Sequence, residues 1–167
     1  VLIEDNTNNI INLIASLKKI TGNFRKEFIF VDDGSVDDSL IILKKSVSGL
    51  PRSTIITQEK QGSSISINKA LSLNSGDYIQ FVEGSEILHP DSTNTLIESC
   101  IKFGAEVAIG NVSKKTNNDK KLKDEPQLID VPLKIVLDNS IPCFRQVGKA
   151  GSLISKSLLE KIGEIDN

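Results

Sequence analysis

The sequence predicts an α/β fold in which a mostly parallel β-sheet is covered by helices on both faces. Two observations predict it. Short apolar runs rich in β-forming residues alternate with longer segments whose apolar positions repeat at helical spacing. Polar turn residues follow several of these runs, and such alternation is typical of parallel sheets. The length of 167 residues suits one domain, which we expect to span residues 1–167.

The first strand and helix occupy the beginning of the chain. Residues 1–3 (VLI) are predicted to end a buried strand. A helix is expected next, because apolar residues recur at helical spacing between positions 10 and 20. Thr7 is its expected N-cap, and TGN at 21–23 is a stop signal.

The second strand and helix follow the same order. Residues 27–31 (EFIFV) form a short apolar run that predicts a strand, and Asp32-Asp33-Gly34-Ser35 is expected to break it. Ser35 and Asp38 have the spacing of a capping box. We therefore expect a helix to begin at this point.

The pattern continues to about position 109. STIIT at 53–57 predicts the third strand, and residues 64–76 predict a helix that ends at a glycine. Residues 78–82 predict the fourth strand, Pro90 is suited to the first position of the next helix, and residues 105–109 predict the fifth strand. The fourth helix is expected to bury one face, formed by Leu96, Ile97, Cys100 and Ile101.

The last third of the chain is less regular. The polar segment 111–126 has no periodicity, so we expect either a mobile surface loop or a functional loop that acts as a lid or recognises the acceptor. Residues 127–139 predict a helix interrupted near Pro132. A further strand is expected at 149–155 and a closing helix at 157–163.

Charge and composition narrow the function classes. A net charge of −2 and an aromatic content of 4% argue against nucleic-acid binding. Cys100 and Cys143 are too few for a disulfide framework or a thiolate zinc site, so we expect small buried hydrophobic residues in a reducing compartment. No apolar run reaches the roughly 18 residues of a membrane span. We expect a cytoplasmic location, with the inner face of the membrane as the alternative.

Several catalytic classes lack their motifs. His89 is the one histidine in the sequence, and no Ser–His–Asp or Cys–His pattern surrounds it. Neither the P-loop nor the dinucleotide-binding fingerprint is present in the sequence. The chain starts without Met and contains none, so we expect a fragment of a longer protein. A larger parent protein or an oligomer is the expected assembly.

Three polar clusters follow predicted strands, and they are the candidate site. They are Glu4-Asp5-Asn6, Asp32-Asp33-Gly34-Ser35 and Glu83-Gly84-Ser85-Glu86. In open α/β sheets, ligands bind outside the carboxyl ends of the strands. Each cluster alone is compatible with turn chemistry. Three clusters at one edge of a sheet favour a binding site.

Two stretches carry a resemblance to a known family. EFIFVDDGSVDDSL resembles the second-strand motif of family 2 glycosyltransferases, in which an apolar strand ends in V-D-D-G-S. GSSISINKALSLNSGDYIQFVEGSEILHPDS resembles the helix, strand and metal loop that follow in that family. The beginning of the chain and SLISKSLLEKIGEID are similar to other family segments, so the resemblance covers nearly the whole chain.

The resemblance implies a GT-A fold, a Rossmann-like α/β domain that binds a nucleotide sugar. Carried over by position, Asp33 contacts the base or ribose, Asp32 is its neighbour, and Asn68 and Glu83 complete the nucleotide-binding residues. A carboxylate suits this role because base N–H and ribose O–H groups are donors. The alternative for Asp33 is an Asx-turn or a helix cap, and both roles can coexist.

The resemblance also implies a divalent metal, Mn²⁺ or Mg²⁺, on a D-x-D loop. Here that loop is Glu83-Gly84-Ser85, so Ser85 replaces the principal carboxylate ligand. A neutral hydroxyl is a poor ligand for a hard cation. Glu86 is the candidate to share the ion with Glu83. The alternative is two solvated glutamates on a turn.

The implied reaction transfers a sugar from a nucleoside diphosphate sugar, with UDP as the expected nucleotide, to a hydroxyl of a glycan or other acceptor with inversion. The sequence departs from the family pattern, since Ile67 stands where an Arg is common. No residue is assigned as the catalytic base. The alternatives are a catalytically inactive binding or assembly module of the same fold, and an unrelated α/β protein that binds a small ligand.

Overall fold

The computed structural model describes residues 1–110 and 151–165, and these form six strands and five helices. Their alternation matches the predicted order of strands and helices. The elements are β1 (Leu2–Ile3), α1 (Ile10–Lys18), β2 (Phe28–Asp33), α2 (Ser39–Ser46), β3 (Ser53–Gln58), α3 (Ser63–Ser72), β4 (Tyr78–Gln80), α4 (Ser92–Phe103), β5 (Val107–Ile109), β6 (Ser152–Ser155) and α5 (Lys156–Ile162).

The strands form two connected three-stranded sheets. β1, β2 and β3 are parallel, whereas β6 lies antiparallel between β4 and β5. A parallel bridge between Leu2 and Glu83 and a 2.9 Å hydrogen bond from Leu2 N to Val82 O join the two sheets. The strand order is therefore β3-β2-β1-β4-β6-β5, with β6 reversed. This arrangement confirms the mostly parallel α/β fold.

The helices pack beside the strands in an arrangement that follows the strand order. The chain moves from β1 to β2 to β3 in one direction, and α1 and α2 pack on each other. After β3 it returns to β4 on the other side of β1, and α3 contacts β2 and β1. A right-handed connection changes face when the direction of travel reverses. The reversal lies between β1 and β4, at the edge where the candidate site is expected.

The main hydrophobic core lies between α1 and the parallel strands. Ile10, Leu13, Ile14 and Leu17 are buried in it, as their helical spacing predicted. Val82 belongs to the same cluster, so the core spans both sheets. On α4, Leu96 and Cys100 are buried, but the prediction for Ile101 was wrong, because its side chain is 69% exposed.

Two predicted helix starts and one strand end were wrong. β2 continues through Asp33 because Asp32 and Asp33 pair with Thr57 and Gln58 of β3. Asn9, not Thr7, is the N-cap position of α1, and the Thr7 side chain instead donates to Asp37.

The predicted capping box is also absent. α2 begins at Ser39, whose backbone N–H donates to the carboxylate of Asp37 at 2.9 Å. Ser35 and Asp38 make no cap hydrogen bond, because Ser35 Oγ accepts from the backbone N–H of Asp5.

Other predicted boundaries shift by a few residues. The helix expected to end at Gly76 stops at Ser72, the fourth strand ends at Gln80, and Pro90 precedes α4 instead of starting it. The expectations for residues 111–126, 127–139 and Cys143 lie outside the described residues. Within residues 1–110 and 151–165, no helix is long and apolar enough to cross a membrane.

Candidate functional site

The three predicted clusters meet at the carboxyl edge of the sheet. The first two are joined by hydrogen bonds: Asp5 N donates to Ser35 Oγ at 3.1 Å, and Val36 N donates to Asp5 Oδ1 at 2.9 Å. Asn6 N donates to Ser39 Oγ at 2.7 Å, which ties the same loop to the first turn of α2. The loop after β1 is therefore held against the loop after β2 by side chains.

The third cluster packs against the first through Gly84 and Asn6. The Asn6 amide lies so close that a Cβ on Gly84 would be 2.0 Å from Asn6 Oδ1. The same oxygen accepts a hydrogen bond from Glu4 N at 3.0 Å. A glycine at position 84 thus allows the turn after β4 to approach the turn after β1.

Two open clefts lie side by side at this edge. The β2–β3 cleft has a volume of about 630 Å³, and the β1–β4 cleft has a volume of about 330 Å³. The β2–β3 cleft is lined by Asp32, Gly34, Ser35, Leu40, Thr57, Gln58, Glu59 and Lys60. The β1–β4 cleft is lined by Leu2, Glu4, Asp5, Asn6, Glu83, Gly84 and Ser85.

Asp33 is buried beneath the loop that precedes α3. Its Oδ1 accepts from Gln58 Nε2 at 2.8 Å and from Gln61 N at 2.9 Å, and its Oδ2 accepts from Gly62 N at 2.9 Å. Burial acts to raise the pKa of Asp33, but these hydrogen bonds to the ionised form outweigh it and lower the pKa. In this structure the carboxylate holds the 58–62 loop, and a contact with a nucleotide stays a prediction.

Asp32 has a different environment. Its side chain is 3% exposed, and its Oδ1 has no hydrogen-bond partner in the described part of the chain. Gln58 Oε1 is likewise buried without a partner there, and both residues line the β2–β3 cleft. Buried polar atoms are almost always hydrogen-bonded, so these two acceptors require a donor from outside the described residues, either a water or a ligand.

Lys60 and Glu4 form an ion pair across the border of the two clefts. The hydrogen bond and charge of Glu4 raise the pKa of Lys60, with smaller contributions from the charges of Asp5 and Asp33. Both side chains of the pair are accessible to solvent. Sequence reasoning missed Lys60, although it follows β3 by two residues at the edge where the site was expected.

Glu83 and Glu86 form a reciprocal turn. Glu86 N donates to Glu83 O at 3.0 Å, and Glu83 N donates to Glu86 Oε2 at 2.9 Å. Burial raises the pKa of Glu86, and the charge of Glu83 adds to the effect against the opposing backbone hydrogen bond. Glu83 and Ser85 are exposed at the β1–β4 cleft, whereas Glu86 is engaged by its own turn.

The described donors do not by themselves fit a cation site. In residues 1–110 and 151–165, no group of three or more His, Cys, Asp or Glu side chains is arranged to hold a metal ion. Glu83 offers one accessible carboxylate, Ser85 offers a neutral hydroxyl, and one carboxylate oxygen of Glu86 is already an acceptor. Hard divalent cations take six or more oxygen ligands and prefer carboxylates among them.

Asn68 lies on α3 and contacts the end of the described chain. Its Nδ2 donates to Ile165 O at 3.0 Å, and Ile165 N donates to its Oδ1 at 2.9 Å. The amide therefore holds a segment 97 residues away. Its predicted contact with a nucleotide is untested by this geometry and stays a prediction.

Comparisons with known proteins match this architecture. The family described as Glycosyl transferase family 2 matches residues 5–160. Glycosyltransferase GlyA of Streptococcus pneumoniae is 34% identical over 85 residues, which are 51% of this chain and 12% of that protein. Chondroitin synthase of Escherichia coli is 31% identical over 93 residues, covering 55% of this chain and 13% of that protein.

Solved structures share the fold. The S. aureus TarS 1-349 complex with UDP has a TM-score of 0.66 at 18% identity, covering 96% of this chain and 47% of that one. The mannosyltransferase PcManGT of Pyrobaculum calidifontis, in complex with GDP-Man and Mn²⁺, has a TM-score of 0.70 at 11% identity, covering 99% and 46%. The chain thus spans less than half of either structure and a small share of the curated relatives.

Proposed function

Because the chain belongs to glycosyl transferase family 2, we propose that it forms the donor-binding part of an enzyme that transfers a sugar from a nucleoside diphosphate sugar to an acceptor hydroxyl with inversion. Its fold is GT-A, as in the structural neighbours. UDP is the proposed nucleotide, since TarS has been solved with UDP and with UDP-GlcNAc. The acceptor, a glycan or another hydroxyl compound, belongs to the same proposal.

The main observation that supports this proposal is the pair of unpartnered acceptors in the β2–β3 cleft. Asp32 Oδ1 and Gln58 Oε1 are buried there without partners among the described residues. A nucleoside supplies the matching donors, a base N–H and two ribose hydroxyls. A charge-assisted hydrogen bond from such a donor to Asp32 would satisfy a group that otherwise loses its hydration. The cleft lies at the carboxyl edge where open α/β sheets bind ligands.

We assign different parts to the two aspartates. Asp32 contacts the nucleoside, whereas Asp33 positions the loop that forms one wall of the cleft and touches the nucleotide only if that loop shifts. Glu83 lies at the neighbouring β1–β4 cleft, where the diphosphate or sugar would be placed. Asn68 keeps its proposed nucleotide role only if the Ile165 segment moves away, because both polar atoms of its amide are bonded to it.

The resemblance to the family also implies a divalent cation, Mn²⁺ or Mg²⁺. When bound, such an ion offsets the charge of the leaving diphosphate. Glu83, Ser85 and Glu86 would be its nearest ligands, but the described donors do not form a complete site. The measurable question is whether nucleotide binding depends on the ion.

A second candidate is a catalytically inactive module that keeps the fold and binds the nucleotide or a partner protein. The specific observation in its favour is the turn of Glu83 and Glu86, which uses a carboxylate oxygen as a backbone acceptor and carries Ser85 in place of a ligand. Such a module would bind UDP and not turn over a UDP-sugar. The cytoplasmic location expected from composition stays a prediction.

Calorimetric titration of the 167-residue chain with UDP, in Mn²⁺ and then in EDTA, tests the donor-binding proposal. We expect saturable binding with one nucleotide per chain. Release of UDP from UDP-GlcNAc and other nucleotide sugars, measured in the same two buffers with a panel of glycan acceptors, would rule out the inactive module. A chain that binds neither UDP nor GDP would contradict the donor-binding proposal and would favour an inactive module that binds a partner protein.

A further inference from the structure

The two clefts carry an unusual balance of charge for a site that receives a diphosphate. Among the described residues, five carboxylates line the two clefts, and Lys60 is the one cationic side chain that lines either of them. The carboxylates belong to Asp32 and Glu59 in one cleft and to Glu4, Asp5 and Glu83 in the other. A nucleoside diphosphate is itself an anion, so it needs a cation at this edge.

The backbone of Lys60 is fixed in place. The loop that carries it crosses directly over Gly34, where a Cβ would lie 2.7 Å from Lys60 N, and Gly34 has a φ of +75°. The next two residues donate their N–H groups to Asp33. The side chain, by contrast, is 68% exposed and is held through its Nζ by Glu4.

The position of the ion pair is the decisive observation. Lys60 lines the β2–β3 cleft and Glu4 lines the β1–β4 cleft, so the bond between them marks the border of the two. A nucleoside whose base and ribose satisfy Asp32 occupies the first cleft. Its diphosphate then leaves that cleft at the border, toward the turn that contains Glu83.

We propose that Lys60 is the cationic contact for the diphosphate of the nucleotide donor and that Glu4 holds its ammonium group at the border until the donor binds. This inference rests on the proposed function. On binding, Lys60 Nζ exchanges the Glu4 carboxylate for phosphate oxygens. A lysine suits this exchange because its ammonium is a compact charge with three donors on a flexible stem.

The exchange is favourable on general grounds. An exposed ion pair contributes little to stability, so giving up Glu4 costs little. A diphosphate carries more negative charge than one carboxylate and offers several acceptor oxygens. Lys60 would thereby neutralise part of the charge of the diphosphate, as a divalent cation does when it is bound. Nucleotide binding is then expected to persist in EDTA.

The test compares UDP with uridine in EDTA, using the full 167-residue chain. UDP is titrated by calorimetry, and uridine is followed by NMR chemical shifts, which measure millimolar dissociation constants. Lys60→Gln is expected to weaken UDP binding about tenfold, as for loss of one charge-assisted hydrogen bond, and to leave uridine binding unchanged. Lys60→Arg should retain most of the UDP affinity. Glu4→Gln should strengthen UDP binding, because it frees Lys60 and removes a like charge.

Lys102→Gln is the matched control, since Lys102 is an exposed lysine in the last turn of α4 that lines neither cleft. Circular dichroism confirms that each variant is folded. If the unsubstituted chain binds UDP and Lys60→Gln binds it equally well, the role of Lys60 is overturned and the proposed function stands. Equal weakening of uridine and UDP would also overturn it, because Lys60 would then contact the nucleoside. If the unsubstituted chain binds no nucleotide, the proposed function fails first.

Discussion

Asp33, the last residue of β2, accepts a hydrogen bond at 2.9 Å from the backbone N–H of Gly62, the residue that precedes α3. Its other carboxylate oxygen accepts from Gln61 N and Gln58 Nε2. The side chain is 1% exposed, so these bonds are shielded from water. One carboxylate thus connects the edge of the sheet to the loop that carries the cationic residue of the site.

Replacing Asp33 with Ala should destabilise the protein. The change leaves the N–H groups of Gln61 and Gly62 without their acceptor, and hydrogen bonds to a charged group are the stronger kind. We expect the free energy of unfolding to fall by about 2–4 kcal/mol, measured by urea denaturation at pH 7. Asp38→Ala is the control, because Asp38 is exposed and makes no cap hydrogen bond. Equal stability of the two variants would mean that the carboxylate does not hold the loop.

The contribution of Glu86 to stability should change with pH in the opposite direction to that of a carboxylate in an ion pair. Burial raises its pKa in the folded state, with the charge of Glu83 adding to the shift. Its contribution to stability is therefore full below the unfolded-state pKa of about 4.3 and is lost as the pH rises through the higher folded-state pKa. Glu86→Gln keeps an oxygen that accepts from Glu83 N and removes the ionisation. We expect this variant to be more stable than the unsubstituted chain at pH 7.

The comparison at low pH is the critical one for Glu86. Urea denaturation at pH 4 should show a smaller difference between Glu86→Gln and the unsubstituted chain, because Glu86 is then largely protonated in both states. Glu160→Gln, on the exposed face of α5, controls for the loss of one surface charge. A stabilisation that is the same at both pH values would refute the assignment to ionisation.

Periodicity was sufficient to predict the order of strands and helices. It failed where contacts between residues far apart in the sequence determine where an element ends. Apolar spacing identified the buried face of α1 because a helix packed on one side needs that spacing. Asp32 and Asp33 were expected to break β2, since aspartate is typical of turns. They continue the strand because β3 pairs with them and because the 58–62 loop satisfies the second carboxylate.

The position of the three clusters at one edge of the sheet was predicted correctly, whereas the roles assigned to their residues stay predictions. The carboxyl ends of parallel strands meet at one edge, so three polar clusters could be expected together. The hydrogen bonds of Asp33 come from a loop about 28 residues further along the chain, and Asn68 bonds to Ile165, which lies 97 residues away. Lys60 was missed for the same reason, because its importance lies in its position between two clefts and its pairing with Glu4.

Gly84 should not tolerate a side chain. A Cβ at this position would lie 2.0 Å from Asn6 Oδ1 and 3.0 Å from Asn6 Cβ, so Asn6 has to move and release Glu4 N. We expect Gly84→Ala to lower the free energy of unfolding by about 1–3 kcal/mol, the usual cost of overpacking, measured by urea denaturation. Gly110→Ala is the control, because its nearest contacts are at ordinary distances of 3.6 and 3.7 Å. A variant as stable as this control would show that the two turns are not in close contact.

Asn68 should protect the backbone amide of Ile165 from hydrogen exchange. Asn68→Ala removes both hydrogen bonds to Ile165, so hydrogen exchange at the Ile165 amide is expected to become faster. Mass spectrometry of peptides from residues 163–165 measures this change. Asn94→Ala, which removes only a side-chain bond to Glu98, is the control. If exchange is unchanged and UDP affinity falls, Asn68 has the nucleotide role that the family resemblance implied.

Alanine substitutions at Asp32 and Asp33 should affect UDP binding and the free energy of unfolding differently. Asp32 Oδ1 is buried without a partner in the described residues, so Asp32→Ala removes a desolvated carboxylate and should not lower the free energy of unfolding. The same substitution should weaken UDP binding about ten- to a hundredfold, since one charge-assisted hydrogen bond is worth about 1.5–3 kcal/mol. Calorimetry measures the UDP affinity, and urea denaturation measures the free energy of unfolding, for each of the two alanine variants. If Asp32→Ala binds UDP normally and Asp33→Ala does not, then Asp33 is the nucleotide ligand, and the 58–62 loop has to release it when the donor binds.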